Sequence, residues 1–242
     1  MEGMGERRYR NLVSPHGLTA FRVVVHETAL FVMAEKPLER ETRDAVIRHR
    51  HSIEAYMATH SHFRDSLVPL PDDPLAPTIV REMLQASEKC RVGPMAGVAG
   101  ALAHFVGKDL MAHSADIIVE NGGDIYIKSS SERRVAIYAG SSPLSLRIGI
   151  VIPSGMTPIG VCTSSGMVGH SRSFGKTDAV TIVSPSVTLA DTAATSLGNR
   201  VASKKDIEEG LTLAREIEGV EGALIILQDA FGAWGNLELV RI

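Results

Sequence analysis

The sequence predicts an α+β fold: mostly antiparallel or mixed sheets with helices packed on them. Two observations carry this. Short β-rich runs dominate the chain, and many are joined by tight turns rather than by helical crossovers, which argues against a doubly wound parallel sheet. A third feature, the absence of any evident linker or internal repeat, makes residues 1–242 one expected domain.

The elements follow in order. Phe21 to His26 and Leu30 to Ala34 are β-rich runs split by a short polar break, the pattern of a hairpin. Glu39 to His60 is charged and helix-permissive, with Val46, Ile53 and Tyr56/Met57 at roughly helical spacing. Pro69, Pro71, Pro74 and Pro77 mark a loop leading into a helix whose buried stripe is Ile79, Met83, Leu84 and Cys90. Gly93 to Met111 is rich in Gly and Ala and predicts a helix beginning near Pro94, packed closely on a sheet. Asp116 to Lys128 predicts two strands around Asn121-Gly122-Gly123. Further strands are expected at Val135 to Ala139, Leu146 to Ile152, Ala179 to Val183, Ala223 to Leu227 and Leu237 to Val240. Gly160 to Gly166 reads as a strand end running into a small-residue loop. Helices are expected at Ala190 to Gly198 and Lys204 to Glu218.

Composition narrows the function. Hydrophobic residues at 44% and charged residues at 22% describe a chain able to bury a core. A net charge of -3 and 5% aromatic residues provide neither a basic footprint nor stacking platforms for nucleic acid. Cys90 and Cys162 stand in apolar company and read as buried free thiols in a reducing compartment. Met1 to Arg10 is charged without an apolar core, and the longest apolar stretch, Val92 to Val106, falls short of a membrane span. The expectation is a soluble cytoplasmic protein with a small-molecule partner, no nucleic acid and no membrane; a homo-oligomer fits equally.

Four segments could carry chemistry. In Asp191-Thr-Ala-Ala-Thr195, positions i and i+4 put a carboxylate and a hydroxyl on one helix face, hard oxygen donors suited to Mg²⁺ or Ca²⁺. The same aspartate also reads as a helix cap. In Glu120-Asn-Gly-Gly-Asp124 the glycines permit close ligand approach, or simply a hairpin. Gly160-Val-Cys-Thr-Ser-Ser-Gly166, followed by His170, offers hydroxyls and backbone N–H groups to an anion and a base near neutral pH. The start of the Gly93 helix can receive phosphate on its free N–H groups, or be a tight structural helix. Cys162 has no charged sequence neighbour to activate it, so packing is the expected role. Gly175-Lys176-Thr177 is not a phosphate loop, because His170 stands where that pattern needs glycine. His49, His51, His60 and His62 lie on different faces of a helix, or ~16 Å apart along it, and read as a solvated face.

Taken in order, Glu120-Asn-Gly-Gly-Asp-Ile125, Gly160-Val-Cys-Thr-Ser-Ser-Gly166 and Asp191-Thr-Ala-Ala-Thr195 resemble the ApbE-like flavin transferase superfamily. Its members carry an asparagine-leucine-glycine-glycine-aspartate turn, a glycine-x-alanine-threonine-serine-glycine strand end and an aspartate-alanine-leucine-alanine-threonine helix. The resemblance spans about residues 92–199, and the wording of the segments is closest to an uncharacterised cytoplasmic branch.

The resemblance implies an ApbE-like fold and a site for FAD or FMN beside Mg²⁺ (or Ca²⁺), with FAD cleavage or transfer of FMN to a protein threonine. It implies Asp191, Thr195 and the backbone carbonyl of Ala96 as metal ligands. It implies a cofactor wall made by Gly97, Gly100, Asn121, Gly122, Gly123, Asp124, Thr163, Ser164 and Ser165, with His170 as the catalytic base. Two departures stand out. The family's cofactor-contacting lysine is matched by Ala99, and its histidine-x-x-aspartate-proline-x-threonine-glycine segment has no counterpart. They motivate a second reading, a non-catalytic ligand-binding or accessory protein in sulfur or amino-acid metabolism. A third is a metal-independent hydrolase using Cys162 or Ser165.

Overall fold

The computed structural model describes residues 13, 17–165 and 176–242. Strand β1 (Thr19–Val25) turns at His26-Glu27 into β2 (Thr28–Ala34), and α1 (Glu39–Thr59) and the short α2 (Ser61–Asp65) follow. After a proline-rich loop come α3 (Thr78–Cys90), a 3₁₀ turn at Pro94–Gly97 and α4 (Val98–Leu110). Strands β3 (Ile117–Asn121), β4 (Asp124–Lys128), β5 (Arg133–Ala136), β6 (Ile148–Ile152), β7 (Ile159–Ser164) and β8 (Ala179–Ser184) fill the centre. The chain ends with α5 (Val187–Gly198), α6 (Ile207–Glu216), β9 (Gly222–Leu227), β10 (Ala230–Gly235) and β11 (Glu238–Arg241).

Among the described residues, eight strands form one sheet in the order β1-β2-β3-β4-β7-β8-β9-β10, and three form a second in the order β11-β6-β5. Every strand pairing within them is antiparallel. The α+β class is therefore as the turn-rich sequence predicts.

Successive side chains on a strand point to opposite faces, and here both faces are covered. Val119, Tyr126, Cys162, Ile182 and Ile225 enter a core shared with the helices. Ile118, Ile125, Val161, Val183 and Ile226 enter a core shared with β5 and β6 of the small sheet. The result is three layers: helices, large sheet, small sheet. That is why the central strands read as near-continuous apolar runs instead of alternating with polar residues. Ile53, Phe63, Met83 and Phe105 make a third apolar cluster among the helices themselves.

Helix α5 belongs to the helix layer, and all its residues are buried. It begins earlier than its sequence suggests. Ser186 is the cap, its hydroxyl accepting a 3.2 Å hydrogen bond from the N–H of Leu189. Asp191 is therefore not a cap but a residue of the second turn. The expected Gly93 helix opens as a 3₁₀ turn, and β10 is an edge strand that the sequence reading passes over. Among the described residues no helix is long and apolar enough to cross a membrane.

Candidate functional site

Three segments meet on the N-terminal half of α5. The 3₁₀ turn and the first turn of α4 come closest. A Cβ at Gly97 would stand 2.2 Å from Thr192 Oγ1, and one at Gly100 would stand 2.6 Å from Asp191 Cβ. Only glycine permits that approach. It lets the backbone N–H of Gly100 donate a 2.8 Å hydrogen bond to Asp191 Oδ2. The hairpin β3–β4 closes the third side. Its two-residue turn has Gly122 and Gly123 at φ +70° and +119°, left-handed conformations that glycine adopts without strain. Asn121 Nδ2 donates to the carbonyl of Ala99 at 3.0 Å, fixing the hairpin against α4.

Buried carboxylates concentrate here. Asp124, Glu120 and Asp191 are all sequestered from water, at 8%, 2% and 7% exposure. Burial pushes the carboxyl of Asp191 up to about 7, partly opposed by the backbone N–H groups of Gly100 and Ala99. Burial pushes Asp124 well above its usual range, and the charges of Asp191 and Glu120 add to this while the Cys162 thiol opposes it. Asp124 and Cys162 are register partners on β4 and β7. The thiol donates to the carbonyl of Val187 at 3.4 Å, and burial with the two aspartates holds it far above its ordinary pKa. Two carboxylates forced together in a dry place favour a shared proton or a cation.

Beside this cluster opens a cavity of about 640 Å³, within the range of small-molecule sites. Ala96, Ala99, Asn121 and Thr195 line one side of it. Residues of α1, α2 and the β1–β2 turn complete the lining: Arg50, Ile53, Glu54, Met57, Arg64 and Glu27.

The sequence-predicted residues thus divide. Ala96, Asn121 and Thr195 reach the cavity; Asp191, Gly97 and Gly100 make the close-packed wall against which it forms. Asp124 faces the buried side, against Cys162. Gly122 and Gly123 shape the turn, and Gly123 O accepts from the N–H of Thr163 at 3.2 Å. Thr163, Ser164 and Ser165 are half-buried and absent from the cavity lining; the hydroxyl of Thr163 is bonded to that of Thr181 at 2.9 Å. Residues 166–175, and with them His170, lie outside the described residues. Among the described residues, no three His, Cys, Asp or Glu side chains converge as a metal centre.

The helical histidines depart from a solvated face in one case. His49 is only 14% exposed at its side chain; its Nε2 meets Asp109 Oδ2 at 2.6 Å and its ring packs at 5.3 Å on Phe105. The cavity wall supplied by α1 is what sequence reasoning missed. Ile53 and Met57 were legible as an apolar stripe, but nothing in the local sequence marks Arg50 or Arg64.

The sequence model of the family described as AbpE bacteria matches residues 10–236. The UPF0280 protein of Methanocella arvoryzae is 39% identical over 219 residues, covering 90% of this chain and 89% of that protein. The UPF0280 protein of Methanothrix thermoacetophila is 40% identical over 221 residues, covering 90% and 92%. Among solved structures, the flavin transferase ApbE of Vibrio cholerae superposes with a TM-score of 0.59 at 14% identity, covering 90% of this chain and 96% of that one. The flavinyl transferase ApbE of Pseudomonas stutzeri, in its apo form, gives 0.58 at 15% identity, covering 90% and 93%. At such identities the structural likeness is one of fold.

Proposed function

Since this chain belongs to the family described as AbpE bacteria, within the ApbE-like superfamily, we propose that it binds a flavin nucleotide, FAD or FMN, together with Mg²⁺ in the 640 Å³ cavity. The observation that carries this reading is convergence. Ala96, Asn121 and Thr195, far apart in the chain, share one cavity wall, and Asp191 sits one helical turn from Thr195.

The donors present suit the cation. The carboxylate of Asp191, the hydroxyl of Thr195 and the carbonyl of Ala96 are hard oxygen ligands, and they would hold it. Mg²⁺ commonly binds through one or two carboxylates, water and substrate phosphates, so a site with few protein ligands is in character. Burial raises the carboxyl of Asp191, and burial together with the charge of Asp191 raises that of Asp124; a divalent charge relieves such an environment. Ca²⁺ suits the same oxygens. When bound, the ion supplies neutralisation of pyrophosphate charge. The chain's own part is to position: Gly97 and Gly100 bring α4 onto α5, and Asn121 locks the hairpin against Ala99.

Calorimetry with FAD, FMN and ADP, with and without Mg²⁺, tests the reading. Saturable, Mg²⁺-dependent binding of a flavin nucleotide is the expected result; no saturable binding of any of the three overturns it.

A second reading, binding without turnover, is favoured by Ala99, an apolar side chain at the cavity where the resembling transferases carry a lysine. AMP release from FAD, or FMN-labelled protein, separates the two. Turnover that Asp191→Ala abolishes supports an enzyme; binding without either product supports an accessory role.

A further inference from the structure

The part of the cavity lining supplied by α1 and α2 carries charge that no motif in the sequence announces. Arg50 on α1 and Arg64 on α2 both line it. Arg50 is held in one orientation: its Nη1 donates to Thr28 Oγ1 at 2.8 Å, and its Nη2 donates to Glu27 Oε2 at 2.8 Å and Glu54 Oε1 at 2.7 Å. Its side chain is 18% exposed, and its Nε, buried, has no hydrogen-bond partner. A guanidinium so placed is a cation held in one orientation.

Glu27 and Glu54 pair with it at 2.8 and 2.7 Å, and a phosphate entering the cavity would compete with them for the guanidinium. The side chain of Glu27 is 85% exposed and that of Glu54 50%, so water and salt screen their charges, whereas the largely buried guanidinium is screened less. Arg64 is exposed and makes no ion pair among the described residues. Ile53, Met57, Met95 and Leu102 line the same cavity and offer an apolar surface to a ring system.

We propose that Arg50 and Arg64 bind the phosphate end of the cavity's ligand, so that α1 and α2 supply the cationic contact that Ala99 cannot. The inference rests on the reading that this cavity is the ligand site, and it deepens that reading by naming what the site selects: a phosphate-bearing flavin or nucleotide over its uncharged counterpart. A guanidinium matches phosphate geometry with paired donors, which a point charge does not.

The test is calorimetry in the presence of Mg²⁺ on the full chain, with FAD, riboflavin and inorganic pyrophosphate as probes. Arg50→Gln and Arg64→Gln are each compared with the wild type. Each variant is expected to lose at least ~10-fold in affinity for FAD and for pyrophosphate, the scale of a charge-assisted hydrogen bond, with riboflavin binding unchanged. A variant that binds both phosphate probes like the wild type removes that arginine from the proposal while leaving the flavin reading intact. Arginine-dependent binding of pyrophosphate with no binding of either flavin keeps the arginine assignment and discards the flavin. A wild type that binds neither phosphate probe overturns both. Arg64 is exposed, so Arg64→Gln carries the test if loss of the Arg50 bonds to the β1–β2 turn impairs folding.

Discussion

The carboxylate of Asp191 accepts its 2.8 Å hydrogen bond from the backbone N–H of Gly100, a residue 91 positions away in the chain. Glycine is required at that crossing, because a Cβ at position 100 would stand 2.5 Å from the carbonyl oxygen of Val187 and 2.6 Å from Asp191 Cβ. Gly100→Ala pits two effects against each other. Alanine improves helix propensity by up to about 1 kcal/mol. The clash is with backbone and with a fully packed helix, and overpacking of this kind costs about 1–3 kcal/mol. The clash wins, so a lower urea midpoint is expected, together with loss of Mg²⁺-dependent FAD binding as α4 is pushed off Asp191. A variant as stable as the wild type would show that the two helices do not need this approach.

Thr195→Val isolates the hydroxyl at the cavity wall. Valine keeps the shape of threonine and removes one oxygen. Since Thr195 lines the cavity and is 9% exposed, stability should change by under about 1 kcal/mol, while Mg²⁺-dependent affinity for FAD falls ~10-fold. Calorimetry without Mg²⁺ is the control: there the two proteins should match. An equal loss with and without the ion would remove Thr195 from the metal site.

How far the sequence speaks for this arrangement differs by element. The Gly122-Gly123 turn, the first hairpin and the placing of Asp191 and Thr195 one turn apart on a helix are legible, because each is set by local chemistry: left-handed glycines, alternating apolar residues, an i, i+4 spacing. Strand β10, Ala230–Gly235, was not, because alanine and glycine have little strand preference and its pairing with β9 decides the matter. The start of α5 was misplaced by three residues, since Ser186 and Val187 look like the end of the preceding strand. Arg50 and Arg64 were invisible for a different reason. A charged helical residue reads as solvated until the tertiary structure sets another wall across from it.

Asp116 sets an acid limit on stability. Burial raises its carboxyl, but the N–H and hydroxyl of Ser130, the hydroxyl of Ser129 and the guanidinium of Arg133 more than offset this and leave it below its ordinary value of 3.8. A depressed folded pKa means the folded state binds the proton less tightly than the unfolded chain. The stabilisation is therefore fully present above about pH 4 and is lost as pH falls through the lower, folded value. Asp116→Asn should flatten the acid side of the stability profile in urea unfolding. It also removes the carboxylate 3.2 Å from Arg133, a residue only 2% exposed, at a cost of about 3–5 kcal/mol at neutral pH. Unchanged stability at pH 7 and an unchanged acid slope would show that the pair is immaterial to folding.

The two thiols decide whether a cysteine nucleophile deserves further thought. Cys90 and Cys162 are both free and buried. Burial pushes Cys90 up to about 12, and burial with the neighbouring aspartates holds Cys162 well above its usual value, so neither carries appreciable thiolate near neutrality. A chromogenic disulfide reagent at pH 8 should therefore label no thiol in the folded protein and both in urea. Cys162→Ala should likewise leave any FAD turnover in place, since the sulfur bonds to the carbonyl of Val187 and to Asp124 on the closed side of the hairpin. One fast-reacting thiol in the native protein would overturn the assignment of both cysteines as buried, protonated groups.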